Sequence, residues 1–545
     1  MTQPPLYDVD FYDTFSDYVS GIEHRFGDST ALTCYTRDGQ EKNLSFTELC
    51  SRVRALRAAL ISCGLAGKHM AIVGENSFEW LTVYLAIVCT GGVSVCVDTE
   101  QPDESIREMI CNSDSEAVFV SSAFEHICRP LTEDGRIALI RMDAVPGEGG
   151  SLADMTDGGD DLTAGDDIIL NPDQTAAIVF TSGTTSTSKM VMLSHRNLLY
   201  NASATVSQVE LGSRVFTPLP FYHTYGLTCS VLANFITGAT VIINGNLRTM
   251  VRDLGFARAT SFMAVPLMVE TLYNQIWVAA KKNGTTEQLE KLLSRARAMK
   301  KSGVSDTLPE LETIRQEFLA GLPVIISGGA SIDNEICEQL ELFGVVVLQG
   351  YGISECSPLV AVNRLVSYKH GSVGLAVKGT DTQLVDEELW VRSPSVMLGY
   401  YKAPELAAEA IEDGWFKTGD IGSIDRDGFI FITGRKKNLI VFKNGKKLSP
   451  EKLEALFQTI PLVEEVVVHS APSVDNSSDI RIIASIFPNA EMTGGMSSYE
   501  VLSAIQVEVD AINSSLPTYQ RIEMINIRDR GFAKTATKKT KRHLI

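Results

Sequence analysis

The chain has ten cysteines but no C-x-x-C pair among its 545 residues. Thiols scattered singly signal neither a zinc site nor a disulfide framework, so reduced cysteines are expected. Positive charge is in short supply: 48 Lys and Arg face 67 Asp and Glu, a formal net charge of -19. Nucleic acid is not an expected partner, because binding a phosphate backbone needs a basic face. Long apolar runs are lacking as well. The most hydrophobic span, Leu81 to Val97, is interrupted by Thr90, Gly91 and Gly92, too short a run to cross a bilayer comfortably. Met1 to Asp10 carries prolines and acids, not a basic segment followed by an apolar one. No secretory signal is expected, and a cytoplasmic location is. No internal repeat or sustained heptad pattern is visible.

What is present is 44% hydrophobic and 21% charged residues, the balance of a globular protein long enough for two or more domains. Helical periodicity at Phe46 to Cys63 and Ser77 to Val88 alternates with strand-like runs at Met70 to Val73, Val93 to Val97 and Ala117 to Val120. That alternation predicts an α/β fold of helix-wrapped, mainly parallel sheets. It continues from Thr175 to about Val347, broken by a long polar helical stretch from Ala279 to Phe318. The acidic run from Asp154 to Asp167 reads as a solvated connection. Beyond Ser393, short strands with turn signals at Asp413-Gly414, Asp427-Gly428 and Asn444-Gly445 predict a small β-rich subdomain. The expected division is a large domain, 1–434, and a smaller α+β domain, 435–545.

The stretch Phe180-Thr181-Ser182-Gly183-Thr184-Thr185-Ser186-Thr187-Ser188-Lys189 concentrates hydroxyls and glycine and closes on a lysine. Backbone N–H groups and hydroxyls of such a loop can surround a polyphosphate while lysine supplies a point charge. The familiar phosphate-loop pattern is missing: Ser188 and Met190 stand where a glycine and a Ser or Thr would flank the lysine. Instead Met190 to Leu193 continues as an apolar stretch, and Ser194 is placed to cap a helix through His195-Arg196-Asn197-Leu198. Strand, loop, strand, helix is the expected local order.

Five further clusters fall at the joints of this pattern. Ser327-Gly328-Gly329-Ala330 follows a strand at Pro323 to Ile326, and Tyr351-Gly352-Ile353-Ser354-Glu355 follows one at Val345 to Leu348. Trp415 to Asp420 ends in an acid suited to a ribose diol, Gly434-Arg435-Lys436-Lys437 adds cations, and Lys534 to Lys539 forms a basic tail.

In this order the clusters resemble the adenylate-forming (AMP-binding) superfamily, from about Tyr35 to the last residues. The family's phosphate loop matches Thr181 to Lys189, and its Tyr-Gly-x-Thr-Glu signature matches Tyr351 to Glu355. Its Thr-Gly-Asp matches Thr418 to Asp420, its Gly-Arg-x-Lys hinge matches Gly434 to Lys437, and its C-terminal lysine falls on Lys539. The helical insert and the Lys-Thr-Ala-Thr-x-Lys ending look most like long-chain fatty acyl-CoA synthetases.

The resemblance implies that a fatty acid attacks the α-phosphorus of ATP, and that the acyl group then passes to the thiol of coenzyme A. Thr181, Ser182, Gly183, Thr184, Thr185 and Lys189 would hold the β- and γ-phosphates, and Glu355 would carry Mg2+. Tyr351 would stack on adenine beside Gly329 and Ala330, with Gly352 and Ser354 in the same segment. Asp420 and Arg435 would hold the ribose. Lys539, on a mobile small domain hinged at Lys437, would reach the α-phosphate and carboxylate. Gly445 is a candidate for the wall of the coenzyme A channel, and His223, in Pro220 to Gly226, for a gate beside the acyl pocket.

The loop departs from the family at Ser186, Ser188 and Met190, where glycine, proline and glycine are usual. Two alternatives stay open: transfer of the acyl group to a separate acyl carrier protein, and a catalytically inactive nucleotide-binding regulatory protein. The helix carrying Leu289, Leu292, Leu293 and Ala296, with Lys291, Arg295, Arg297, Lys300 and Lys301 nearby, is expected either to pack on the enzyme or to make a peripheral contact with anionic membrane.

Overall fold

The computed structural model describes residues 6–133, 135–144, 147, 150–156, 168–181, 189–304, 306–442, 446–457, 460–472, 480–534, 540, 542 and 545. They fall into two compact units. The first comprises Met1–Asp381, Val391–Phe416 and Asp427–Phe429; the second comprises Thr382–Trp390, Lys417–Arg426 and Ile430–Ile545.

The first unit holds two large sheets. One has seven strands, in the order Gly399–Tyr400, Lys189–Ser194, Thr175–Thr181, Val93–Cys96, His69–Val73, Ala117–Val120 and Ala138–Arg141. Its last five strands are parallel. Each of Val93–Cys96 and Ala117–Val120 is buried at every position, as expected of strands covered on both faces. The other sheet has nine strands, and its middle six, Val346–Gly352, Val324–Ser327, Ser261–Ala264, Arg214–Thr217, Thr240–Ile243 and Thr30–Tyr35, are parallel. The expected α/β architecture is therefore present.

Local signals explain the helices between strands. Ser45 opens the helix Phe46–Ser62 with a capping box to Glu48, and the Ser77 hydroxyl accepts from the Trp80 amide at the start of Phe78–Cys89. Among the described residues no helix is long and apolar enough to cross a membrane. The Leu81 to Val88 run is spent on the core, where every residue from Trp80 to Cys89 is buried.

The long polar stretch resolves into three helices, Pro266–Lys282, Thr286–Lys301 and Pro309–Phe318. In the middle one Leu289, Leu293 and Ala296 are 4%, 5% and 8% exposed and join the main core cluster, with Leu292 packed against it. The packing of the apolar face on the enzyme, one of the two expectations for that helix, is present. The leucine face is covered by protein, and the outward face carries the charges.

In the second unit, Asp420–Ile424 pairs antiparallel with Ile430–Arg435. Farther along, Val463–Pro472, Ile480–Pro488 and Met524–Ile527 form a three-stranded sheet. Helices Pro450–Phe457 and Ser498–Ser515 supply Leu453, Phe457, Val501, Ile505 and Val509 to its core.

Candidate active site

Thr175–Thr181 and Lys189–Ser194 are the two strands of the expected order, and they pair antiparallel, with Thr181 opposite Lys189. Ser194 caps the helix His195–Gln208 as predicted, its hydroxyl accepting from the Asn197 amide in a capping box. Met190, where the family has glycine, packs its side chain against the core of the seven-stranded sheet. Ser182, Gly183, Thr184, Thr185, Ser186 and Ser188 lie outside the described residues, as do Gly445 and Lys539.

The nine-stranded sheet gathers the other predicted groups of the first unit. Arg214–Thr217, Ser261–Ala264, Val324–Ser327 and Val346–Gly352 run parallel, so the segments leaving their C-terminal ends share one edge, the usual ligand-binding edge of such sheets. Gly328, Gly329 and Ala330 follow the third of these strands, and Tyr351 to Glu355 close the fourth. Tyr225 ties the His223 segment to the same edge: its hydroxyl donates to the carbonyls of Ile326 at 3.0 Å and Ala264 at 3.3 Å. A Cβ on Gly328 would lie 3.0 Å from the Tyr225 ring, so glycine lets backbone and ring approach. Asn76 braces the segment, donating to the Leu219 carbonyl at 2.8 Å and accepting from the Phe221 amide at 2.9 Å. His223 is half-buried, its ring 4.8 Å from that of Tyr222. It stands two residues before Tyr225–Leu232, a π-helical segment, a geometry frequent at functional sites.

Ser354 opens the short 3-10 turn that carries Glu355. Gly352 is sterically fixed, because a Cβ there would fall 2.4 Å from the Pro358 carbonyl oxygen. Asn201, on the capped helix, donates to the carbonyls of Cys356 and Leu359 and accepts from the Leu359 amide. The Met397 amide donates to the Glu355 carbonyl at 2.8 Å. The backbone around Glu355 is thus held from two sides.

Tyr400, which sequence reasoning missed, joins the two sheets' contributions. Its hydroxyl donates to Glu355 Oε1 at 3.0 Å, and Lys189 Nζ lies 4.6 Å from its ring centroid. Burial first, and then the Glu355 carboxylate, push the Tyr400 phenol well above its ordinary range, so it stays a neutral donor. Tyr400 is set by the pairing of Gly399–Tyr400 with Lys189–Ser194, opposite Val191. The Tyr401 amide adds a 2.8 Å bond to the Met190 carbonyl.

Asp420, Arg435 and Lys437 belong to the second unit. Arg435 Nε donates to Asp420 Oδ1 at 2.7 Å. Lys437 is exposed in the turn Lys436–Asn438. Glu388 is another residue the sequence did not disclose. It is 3% exposed, accepts from the Gly419 amide at 2.9 Å and pairs with Lys436 at 2.7 Å, fixing the Thr418 to Asp420 stretch of its strand beside the Gly434 to Lys437 segment.

A half-buried carboxylate held by one neutral hydroxyl is an oxygen donor that suits a hard cation such as Mg2+. Among the described residues no three His, Cys, Asp or Glu side chains cluster to hold a metal. Glu355 would therefore share such an ion with ligand oxygens, as Mg2+ commonly does with phosphates.

This arrangement is that of an AMP-binding enzyme. Residues 22–401 match the AMP-binding enzyme family and residues 437–545 its C-terminal domain, and the chain belongs to that family. It is 29% identical over 463 residues to the long-chain-fatty-acid–CoA ligase FadD15 of Mycobacterium bovis, covering 79% of this chain and 76% of the relative. It is 27% identical over 542 residues to the long-chain-fatty-acid–CoA ligase of Escherichia coli O157:H7, covering 88% and 87%. The anthranilate CoA ligase AuaEII, solved with anthranoyl-AMP, has the same fold, with a TM-score of 0.78 and 19% identity over 99% of this chain and 96% of that one.

Proposed function

We propose that this enzyme activates a medium- or long-chain fatty acid with ATP, through an acyl-adenylate, and transfers the acyl group to coenzyme A with release of AMP and pyrophosphate. The observation that carries the reading is the Lys189–Tyr400–Glu355 chain. One side chain separates a cation at the mouth of the hydroxyl-rich loop from a carboxylate suited to a metal. Attack of a carboxylate on ATP brings two anions together, so neutralising groups must be in place before they meet.

On this reading Thr181 to Lys189 hold the β- and γ-phosphates that leave as pyrophosphate. Tyr351 stacks on adenine beside Gly329 and Ala330, and Glu355 holds Mg2+, which when bound neutralises phosphate charge. Asp420 and Arg435 hold the ribose. Lys539 reaches the α-phosphate and the carboxylate when residues 435–545 close as a lid about Lys437. Gly445 lines the pantetheine path, and His223 gates the acyl pocket. The fatty chain rests on the names of relatives below 30% identity, and the aromatic acid of the structural neighbour makes acid class an open measurement.

Incubation with ATP, Mg2+ and a panel of short, medium, long and aromatic acids, with either coenzyme A or a phosphopantetheinylated carrier protein, tests the reading. A fatty acyl-CoA is expected. A thioester formed only on the carrier protein would replace the acceptor, and preference for aromatic acids would replace the acid.

A further inference from the structure

We infer that Tyr400 is a positioning residue that presets the phosphate-loop lysine and the metal-binding carboxylate together. The inference rests on the roles proposed for Lys189 and Glu355. Tyr400 is 4% exposed, yet its two polar faces are both engaged at the candidate site: the hydroxyl at 3.0 Å from Glu355 Oε1 and the ring at 4.6 Å from Lys189 Nζ. These are different interactions. The first is a hydrogen bond to a carboxylate, which fixes one oxygen and leaves the other for a cation. The second is a cation–π contact, which parks an ammonium at the loop mouth without neutralising it.

A strand paired into a sheet is a firm support, and Tyr400 is the last residue of the short strand paired with Val191 and Met192, its neighbour Tyr401 bonding to the Met190 carbonyl. Glu355 comes from the other sheet's edge, 45 positions away in sequence. Tyr400 therefore fixes the spacing between a cation and a carboxylate that no shared element fixes.

The two contacts separate by mutation. Tyr400→Phe removes only the hydroxyl and keeps the ring under Lys189. Tyr400→Leu removes both. ATP binding is measured by calorimetry with and without Mg2+, alongside thermal melts and the Mg2+ dependence of pyrophosphate exchange. Tyr400→Phe is expected to raise the Mg2+ concentration for half-maximal ATP binding by about threefold to tenfold, the loss of one charge-assisted hydrogen bond, while metal-free ATP binding stays within about twofold. Tyr400→Leu is expected to weaken metal-free ATP binding as well.

An unchanged Mg2+ requirement in Tyr400→Phe, or equal effects of the two variants on metal-free binding, overturns the inference. Glu355→Gln is the control. If it leaves the Mg2+ requirement unchanged, the assignment of Glu355 falls, and the inference with it. If it shifts the requirement and Tyr400→Phe does not, only the role of Tyr400 falls.

Discussion

Arg435 faces Asp420 across two antiparallel strands, and its Nε donates to Asp420 Oδ1 at 2.7 Å. The pair is unequal: the Asp420 side chain is 3% exposed and that of Arg435 38%. A buried carboxylate accepting from a half-open guanidinium sets an acceptor and a set of donors side by side. That suits a sugar diol, with the guanidinium supplying further donors.

Arg435→Ala removes a charged partner of the buried Asp420 carboxylate. The expected cost is about 1–2 kcal/mol of stability, below the range for fully buried pairs because Arg435 is partly in water. The KM for ATP is expected to rise about tenfold or more on loss of a charged hydrogen bond. Melting curves and ATP-dependent kinetics check both. A normal KM for ATP would remove Arg435 from the nucleotide site.

His195, fully buried at the start of the capped helix, accepts from the Phe15 amide through Nδ1 at 3.3 Å. Burial lowers its pKa to about 4. The unfolded histidine takes a proton near pH 6.5, whereas the native one refuses it until about pH 4, so the unfolded state binds more protons between these values. Stability is full above pH 6.5 and falls as pH drops toward 4, by about 3 kcal/mol if the unfolded value is ordinary. Urea unfolding at pH 7.5, 6 and 5 should show this slope, and His195→Gln should flatten it. An unchanged slope in the variant would assign the acid sensitivity elsewhere.

Leu293→Ala, in the middle helix of the insert, is expected to cost about 2–5 kcal/mol, as core truncations do, because Leu293 sits within the main core. It should not alter co-sedimentation with anionic vesicles. Reduced pelleting of a variant with an unchanged melt would contradict the burial described for that face.

Gly352→Ala places a methyl 2.4 Å from the Pro358 carbonyl oxygen and should displace the turn bearing Glu355. ATP binding in the presence of Mg2+ is expected to fall more than binding in its absence. Equal losses would show that the damage is general.

The local parts of this site were legible because they are written in adjacent residues. Alternation of apolar runs gave the parallel sheets, and Ser194 announced the helix after the hairpin through its own hydroxyl. The Gly-Gly-Ala and Tyr-Gly segments fell on strand ends, where ligands collect. What sequence could not disclose depends on distant pairing. Tyr400 meets Glu355 over 45 positions, and Glu388 meets Gly419 over 31 and Lys436 over 48. Each reads alone as an ordinary strand residue. The π-helical turn at Tyr225–Leu232 has the same apolar content as an α-helix, so periodicity does not reveal it. The insert's leucine stripe was visible, but amphipathicity specifies an apolar partner without saying whether protein or lipid provides it.

The most direct test of the account is the exchange of labelled pyrophosphate into ATP, with and without fatty acid. The account predicts exchange that requires the acid and Mg2+ and falls about a hundredfold or more in Glu355→Gln. No exchange with any carboxylate tested, or exchange indifferent to Glu355, would contradict it.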